Sequence, residues 1–382
     1  MVKRKNPDVE TIAYKFRIYP DQEQRVMLAK TFGCCRYLWN RMLSDRNTLY
    51  EVIGHVPNNT PADYKTLDEC SWLAEIDSMA LDSVKIDQNQ AFEAFFNGKS
   101  GHPVFHSKRK KQSYRTNNVN NCIKVFDDCI KLPKISTCIS MKMHRKIKQG
   151  GKLKSATVTL GADRKYYVSL VYEYPTGTFA RQHRHEDAPK AVGLDMKLGS
   201  LYVDSNGHNC RMPQFFRLMQ DRIAKEQRRL SHMKKGSNHY DSQQKKIAKL
   251  HAKVKHQRED FLRKEAYRLA HEYRVICIED LDLAAMKKEY GKSVSDIGYS
   301  YFVQFLEEAC RKTGSVVIKV SRYYPSSQLC HACGFQMSMP VHIRYYDCPV
   351  CGCRGDRDEN AACNILNEGL RIYHETYKNT AA

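Results

Sequence analysis

Residues 348–366 read CPVCGCRGDRDENAACNIL, and the order of parts within them decides the fold. Cys348 and Cys351 stand in a Cys-x-x-Cys-Gly turn, and Cys330 and Cys333 stand in another, CHACG, 14 residues upstream. Two such turns aim four thiolates at one ion, the spacing of a tetrahedral four-cysteine zinc site. Four ligands close the site, so the zinc is structural, and the neighbouring His331 and Cys353 are not needed. Beyond the second turn, Ala361, Ala362, Ile365 and Leu366 recur at helical spacing and form a buried stripe. Asp356 and Glu359 have the offset of an N-cap and its N3 partner, which assigns them to helix initiation. Asp358 differs: it precedes Ala361, Ala362 and Ile365 by three, four and seven residues, so it lies on the buried face. A carboxylate on the core side needs a partner, and a divalent cation is the natural candidate.

Two further acids occur in apolar strands. KAVGLDMKLGSLYVDSNG (190–207) reads as a hairpin, with Asp195 in its first strand and Asn206-Gly207 as a turn after the second. YRVICIEDLDLAAM (273–286) reads as a buried strand with Glu279 at its C-terminal end. The order is strand-Asp, strand-Glu, helix-Asp. Three converging carboxylates can hold two Mg2+ ions, which activate water and stabilise the leaving oxygen in phosphodiester hydrolysis. Asp195, Glu279 and Asp358 are therefore the expected catalytic and Mg2+-binding residues.

The rest of the 382-residue chain is organised by charge. Lys and Arg number 63 against 42 Asp and Glu, a formal net charge of +21, which points to nucleic acid as partner. TIAYKFRIYP (11–20) alternates, with Ile12, Tyr14, Phe16 and Ile18 on one strand face. Residues 22–100 read as helical, and 21–100 hold 8 basic and 12 acidic residues, a net of −4. Residues 101–182 hold 17 and 4, a net of +13, and read as short strands, KSATVTL and KYYVSLVYEY being the clearest. With the first strand they are expected to close a small basic barrel. RQHRHEDAPK (181–190) reads as a linker. Residues 214–273 read as helical, with Ile247, Leu250, Val254, Phe261 and Leu269 as the stripe. Fifteen basic residues against 5 acidic in 217–264 suggest a face that contacts nucleic-acid backbone. No apolar run is long enough for a transmembrane helix, and the N-terminus lacks the apolar core of a secretory signal. Fifteen scattered cysteines, two of them adjacent, suit a reducing cytosol with some metal binding.

Taken together, these stretches resemble the TnpB family, insertion-sequence proteins related to the type V CRISPR effectors. GLDMKLGSLYVDSNG (193–207), ICIEDL (276–281), SSQLCHACG with CPVCG, and DRDENAACNIL (356–366) are similar to the successive motifs of the family's RuvC nuclease domain. YKFRIYPDQEQRVMLAKTFGCCRYLWN (14–40) resembles the family's start, and AFEAFFNGKSGHPVFHSKRKKQSYR (91–115) its recognition-to-wedge junction. The resemblance covers most of the chain. It implies an α/β multidomain protein: an RNase H-like RuvC domain with an inserted four-cysteine zinc ribbon, and an N-terminal wedge β-barrel carrying a helical recognition insert. The implied boundaries are 1–20 and 102–182 for the wedge, 21–101 for the recognition lobe, 183–324 and 354–382 for the nuclease domain, and 325–353 for the ribbon.

The implied activity is RNA-guided DNA cleavage, with Asp195, Glu279 and Asp358 binding two Mg2+ and Cys330, Cys333, Cys348 and Cys351 binding one Zn2+. The implied partners are a guide RNA made from the transposon end and double-stranded target DNA beside a short flanking motif. The expected setting is a prokaryotic cytoplasm, on the nucleoid when DNA is bound, with a monomer favoured. Lys108, Arg109, Lys110 and Lys111 are candidates for RNA backbone, the alternative being a solvated loop. Lys85, Gln88 and Asn89 lie together on a helix and are candidates for reading bases, the alternative being a polar helix face. A compact CRISPR effector would share these residues. An RNA-guided repressor would be expected to lose a metal carboxylate, and all three are present. A cut-and-paste transposase also uses three acids, but the basic barrel and late ribbon argue against it.

Overall fold

The structure, a computed structural model, describes residues 9–54, 58–109, 112–179, 190–197, 199–282, 298–340 and 342–378. The chain folds as two units, Met1–Thr178 and Phe179–Ala382.

The first unit is built on β1 (Val9–Tyr19), whose period-two pattern buries Ile12, Tyr14, Phe16 and Ile18. β1 pairs antiparallel with β7 (Tyr166–Pro175) along most of its length and with β5 (Ile139–Lys142) at its end. β2 (Gln112–Asn117), β3 (Lys124–Val125), β4 (Cys129–Lys131) and β6 (Lys152–Leu160) complete a sheet in the order β2-β6-β7-β1-β5-β4-β3. Among the described residues no ladder joins β2 to β3. The expected barrel is therefore a curled sheet with two edges, one of them a strand of two residues.

Helix α1 (Gln22–Ile53) starts where Pro20 ends β1. Asp21 and Gln24 form a reciprocal capping box, at 2.8 and 2.9 Å. The Gln24 amide also donates to Thr137 Oγ1 and the Cys138 carbonyl, which ties the helix start to the approach of β5. α2 (Pro61–Lys65), a 3-10 turn (Asp68–Glu75) and α3 (Ser78–Phe96) follow.

The second unit holds a five-stranded sheet in the order β10-β9-β8-β11-β12. β8 (Ala191–Asp195), β11 (Val275–Glu279) and β12 (Val316–Val320) are parallel, while β9 (Tyr202–Asp204) and β10 (Asn209–Cys210) run as antiparallel extensions. The helical region expected over 214–273 is broken into α4 (Phe215–Ser231) and α5 (Asn238–Glu272). Gly236, at φ 84°, and the Ser237 N-cap make the turn between them. Alternation along the strands sorts the two faces. Val192, Leu194, Ile276 and Ile278 pack with α5 and α6 (Tyr299–Thr313). Val275, Cys277, Ile318 and Val320 pack with Ile365, Leu366 and Leu370 of α7 (Arg357–Lys378).

α7 approaches the sheet closely because two glycines leave room. A methyl on Gly193 would overlap the Ala362 carbonyl and stand 2.7 Å from Leu366 N; one on Gly369 would stand 2.6 Å from Cys277 Cβ. Gly193→Ala is expected to destabilise this unit by about 3 kcal/mol, the upper end of overpacking costs, because backbone and not a flexible tip must move. Denaturant unfolding would measure it, and a change within error would refute the account of the helix–sheet distance.

Candidate active site and four-cysteine ribbon

The strand register brings two of the expected acids together. β8 and β11 are neighbours with Leu194 opposite Ile278, so Asp195 and Glu279 end adjacent parallel strands at the same level. Their alternation matches Gly193 and Cys277, so both face α7. Asp358, in the first turn of α7, is buried, as are Ala361, Ala362 and Ile365 beyond it.

Electrostatics report the convergence. The Asp195 carboxyl is pushed up to about 8, first by burial and then by the charges of Asp358 and Glu279. Burial pushes Glu279 up to about 6. Asp358 Oδ2 is shut off from solvent and accepts no hydrogen bond, although the Lys197 ammonium lies 2.7 Å from it off the hydrogen-bonding direction. The guanidinium of Arg344 stands 3.7 Å from the other oxygen. A buried carboxyl whose proton affinity two neighbouring carboxylates raise, beside a third acid with a buried oxygen that no hydrogen bond satisfies, is a donor set suited to a divalent cation. The carboxylates converge less tightly than the cysteines: among the described residues, only the cysteine tetrad brings its ligand atoms all within 4.8 Å of one another.

Asp356 is the cap. Its Oδ1 accepts the N–H groups of Asp358 at 2.8 Å and Glu359 at 3.3 Å. The return bond of a full capping box is not formed among the described residues; the Glu359 carboxylate lies over Gly207 in the β9–β10 turn.

The ribbon consists of two matching knuckles. In each, the glycine after the second cysteine has positive φ, 74° at Gly334 and 72° at Gly352. Its N–H donates to the carbonyl of the first cysteine, at 2.8 Å to Cys330 and 3.0 Å to Cys348. The thiols interleave, Cys330 to Cys351 and Cys333 to Cys348 both at 3.6 Å. Zinc–sulfur bonds of about 2.3 Å place tetrahedral sulfurs roughly 3.8 Å apart, so the set fits a zinc ion. Burial disfavours the Cys330 thiolate, but the N–H groups of Cys333 and Ala332 and the neighbouring thiols outweigh it and bring the thiol to about 6. Cys353 and His331 stand outside the tetrad, 3.9 Å from each other.

The ribbon is fastened to α7. β13 (Tyr345–Asp347) pairs with β14 (Arg354–Asp356), whose last residue is the cap of α7. The Asn360 amide donates to the Leu329 carbonyl at 2.7 Å and its oxygen accepts from His331 N at 3.0 Å; the Asn364 amide donates to Ser326 and Leu329. Sequence reasoning missed both asparagines, although their i, i+4 spacing beside the apolar stripe of α7 was a readable signal. It also missed Lys197 and Arg344, for which there was none.

Among the nucleic-acid candidates, Gln88 is corrected. It is fully buried and donates to the Trp39 carbonyl at 2.9 Å, so it belongs to the α1–α3 core and cannot reach a base. Lys85 bonds Asn58 at 3.0 Å, and exposed Asn89 accepts from Arg46 at 2.5 Å. Lys108 and Arg109 are exposed. Lys110 and Lys111 lie outside the described residues, as does 181–189 of the expected linker.

Two strand-end carboxylates of a mixed five-stranded sheet face a packed helix that bears a third, and a four-cysteine cluster leads into that helix: an α/β unit with a candidate metal-dependent site. A family described as "Probable transposase" (OrfB of IS605) matches residues 169–289, and "Cas12f1-like, TNB domain" matches 299–365. A third, "Helix-turn-helix domain", matches 11–53, which here form β1 and one uninterrupted helix. A Streptomyces pristinaespiralis protein named "Putative RNA-guided DNA endonuclease" is 31% identical over 368 residues, covering 94% of this chain and 89% of the relative. Escherichia coli K12 "Putative RNA-guided DNA endonuclease InsQ" is 27% identical, covering 94% and 92%. The chain belongs to the TnpB family. In fold it is similar to the Cas12f1 chain of a cryo-EM Cas12f1–sgRNA–target DNA complex, with a TM-score of 0.58 at 12% identity, covering 94% of this chain and 99% of that one.

Proposed function

We propose that this chain is a transposon's RNA-guided DNA endonuclease, which uses a guide RNA from the element's end to cut matched DNA beside a short flanking motif. The observation that carries the reading is the placement of Asp195 and Glu279 at the ends of adjacent parallel strands, facing the helix that bears Asp358. Asp195, Glu279 and Asp358 would hold two Mg2+ ions, which supply Lewis-acid activation of water and charge neutralisation at the leaving oxygen. The protein's own part is to keep the three carboxylates fixed. β8 and β11 set two of them, and α7, held at a short distance by Gly193 and Gly369, sets the third. Cys330, Cys333, Cys348 and Cys351 would hold one structural zinc that fixes the start of α7.

Sequence choice is assigned to base pairing, and backbone shape and the flanking motif to protein contacts. The wedge is assigned to 1–20 and 102–182 and the recognition lobe to 21–101. Lys108 and Arg109 are proposed for RNA backbone, and Lys85 and Asn89 for the flanking bases. Among the described residues no helix is long and apolar enough to cross a membrane. A compact CRISPR effector would use the same residues; the matched transposase family and the names of the relatives favour the transposon reading.

The test is reconstitution. The protein should purify with RNA, lose it steeply as salt rises, and cut only DNA that matches an added guide. A nucleic-acid-free preparation that cuts the same target equally well would overturn RNA guidance.

A further inference from the structure

Lys197 lies two residues after Asp195, in the turn that leaves β8, where Ser200 N donates to its carbonyl at 3.2 Å. Its ammonium reaches across to α7 and stands 2.7 Å from Asp358 Oδ2, with the two side chains 27% and 11% exposed. That oxygen accepts no hydrogen bond. The contact is an ion pair at a buried oxygen that no other group satisfies, and a divalent cation at that oxygen would compete with it. Asp195 feels Arg357 and, less strongly, the same lysine, whose charges work against the rise in its proton affinity. Arg344 does not play this part: it stands 3.7 Å from the other oxygen and is 66% exposed.

We infer that Lys197 is a tethered counter-cation of the nuclease site, which aims the Asp358 carboxylate and competes with a divalent ion for it. The inference rests on the proposed metal role of Asp358. An ammonium and a divalent ion repel each other at one carboxylate, so loading has to weaken or displace the Lys197 contact. The lysine offsets the repulsion between Asp358 and Asp195 before an ion arrives. It also sets the ion concentration at which the site fills. Removing its charge should therefore ease loading, whereas a lysine with only a packing role would leave loading unchanged.

The test needs a readout at this site, because bound RNA also takes up divalent ions. Fe2+ with ascorbate and peroxide cleaves a polypeptide beside the residues that bind it. Fragments ending near residues 195 and 358 therefore report occupancy of this site alone. Full-length, zinc-loaded protein with its RNA is titrated with Fe2+ as wild type, Lys197→Met, Lys197→Gln, Lys197→Arg and Asp358→Asn. The neutral variants should reach half-maximal scission at about tenfold lower Fe2+, since no ammonium competes. Lys197→Arg should stay near wild type. Lys197→Gln serves if the methionine variant does not fold. Unchanged or weaker loading in a folded neutral variant overturns the inference. Asp358→Asn separates it from the reading beneath it. Lost scission there, with wild-type loading in the neutral lysine variants, removes the counter-cation alone, whereas unchanged scission in Asp358→Asn removes both.

Discussion

Asp358→Ala should cut matched DNA at least about a thousandfold more slowly than wild type, a loss of roughly 4 kcal/mol of transition-state stabilisation, while still binding guide and target. Asp195→Ala and Glu279→Ala should behave alike, because base pairing and backbone contacts do not pass through the carboxylates. Asp356→Ala is the control. Its carboxylate receives two N–H groups at the start of α7, so its loss should cost about 1 kcal/mol of stability and leave substantial cleavage at moderate temperature. The two residues are two positions apart, and only their orientation separates them. Active Asp358→Ala beside inactive Asp356→Ala would show that cap and catalyst had been exchanged. Stability should move the opposite way from activity. The Asp195 carboxyl titrates near 8, above its ordinary range, so the folded chain holds that proton more tightly than the unfolded chain. Its charge therefore costs stability as pH rises from the ordinary carboxylate range through about 8. Asp195→Asn should melt higher than wild type at pH 7 when both are zinc-loaded and free of Mg2+. A lower melting temperature would mean that the raised proton affinity has been misassigned.

Cys330→Ser or Cys348→Ser should remove the zinc and with it most of the folding free energy of the ribbon. Structural zinc contributes about 10–16 kcal/mol of binding energy in isolated fingers, and here the ribbon has little else. Its buried apolar cluster consists of Cys330, Met339, Tyr346 and Cys348, two of which are ligands themselves. Elemental analysis should fall from about one zinc per chain to none. Cleavage should be lost as well, since β14 ends on the cap of α7 and Asn360 and Asn364 hold the ribbon's entry. Cys353→Ser should keep its zinc. Full zinc occupancy in the Cys330→Ser/Cys348→Ser double variant would reject the tetrad.

What was legible in the sequence was local and periodic. The alternation of β1, the spacing of the knuckles, the apolar strands ending in Asp195 and Glu279, and the stripe of α7 each follow from a repeat that a single segment displays. Edge pairing is not local, so no single segment says whether the sheet of the first unit closes; among the described residues no ladder joins its two ends. Gln88 was legible and misread: it follows Leu81 by seven residues and Val84 by four, on the buried stripe of α3, and its polarity outweighed its position. Lys197 was not legible. A lysine in a turn reads as solvated until the helix from the far end of the unit is seen beside it.

The order in which the carboxylates occur along the chain has a consequence during synthesis. Asp195 and Glu279 leave the ribosome long before Asp358, and the knuckles emerge between Glu279 and Asp358. A nascent chain can complete its first unit, which is contiguous, while its nuclease is still one acid short. Joining β8 to α7 closes a loop of more than 150 residues, a contact of high sequence separation and hence a late one. Under the proposed function, the unit assigned to RNA is complete before the chain is able to cut, and the last acid follows the cysteines proposed to take up zinc.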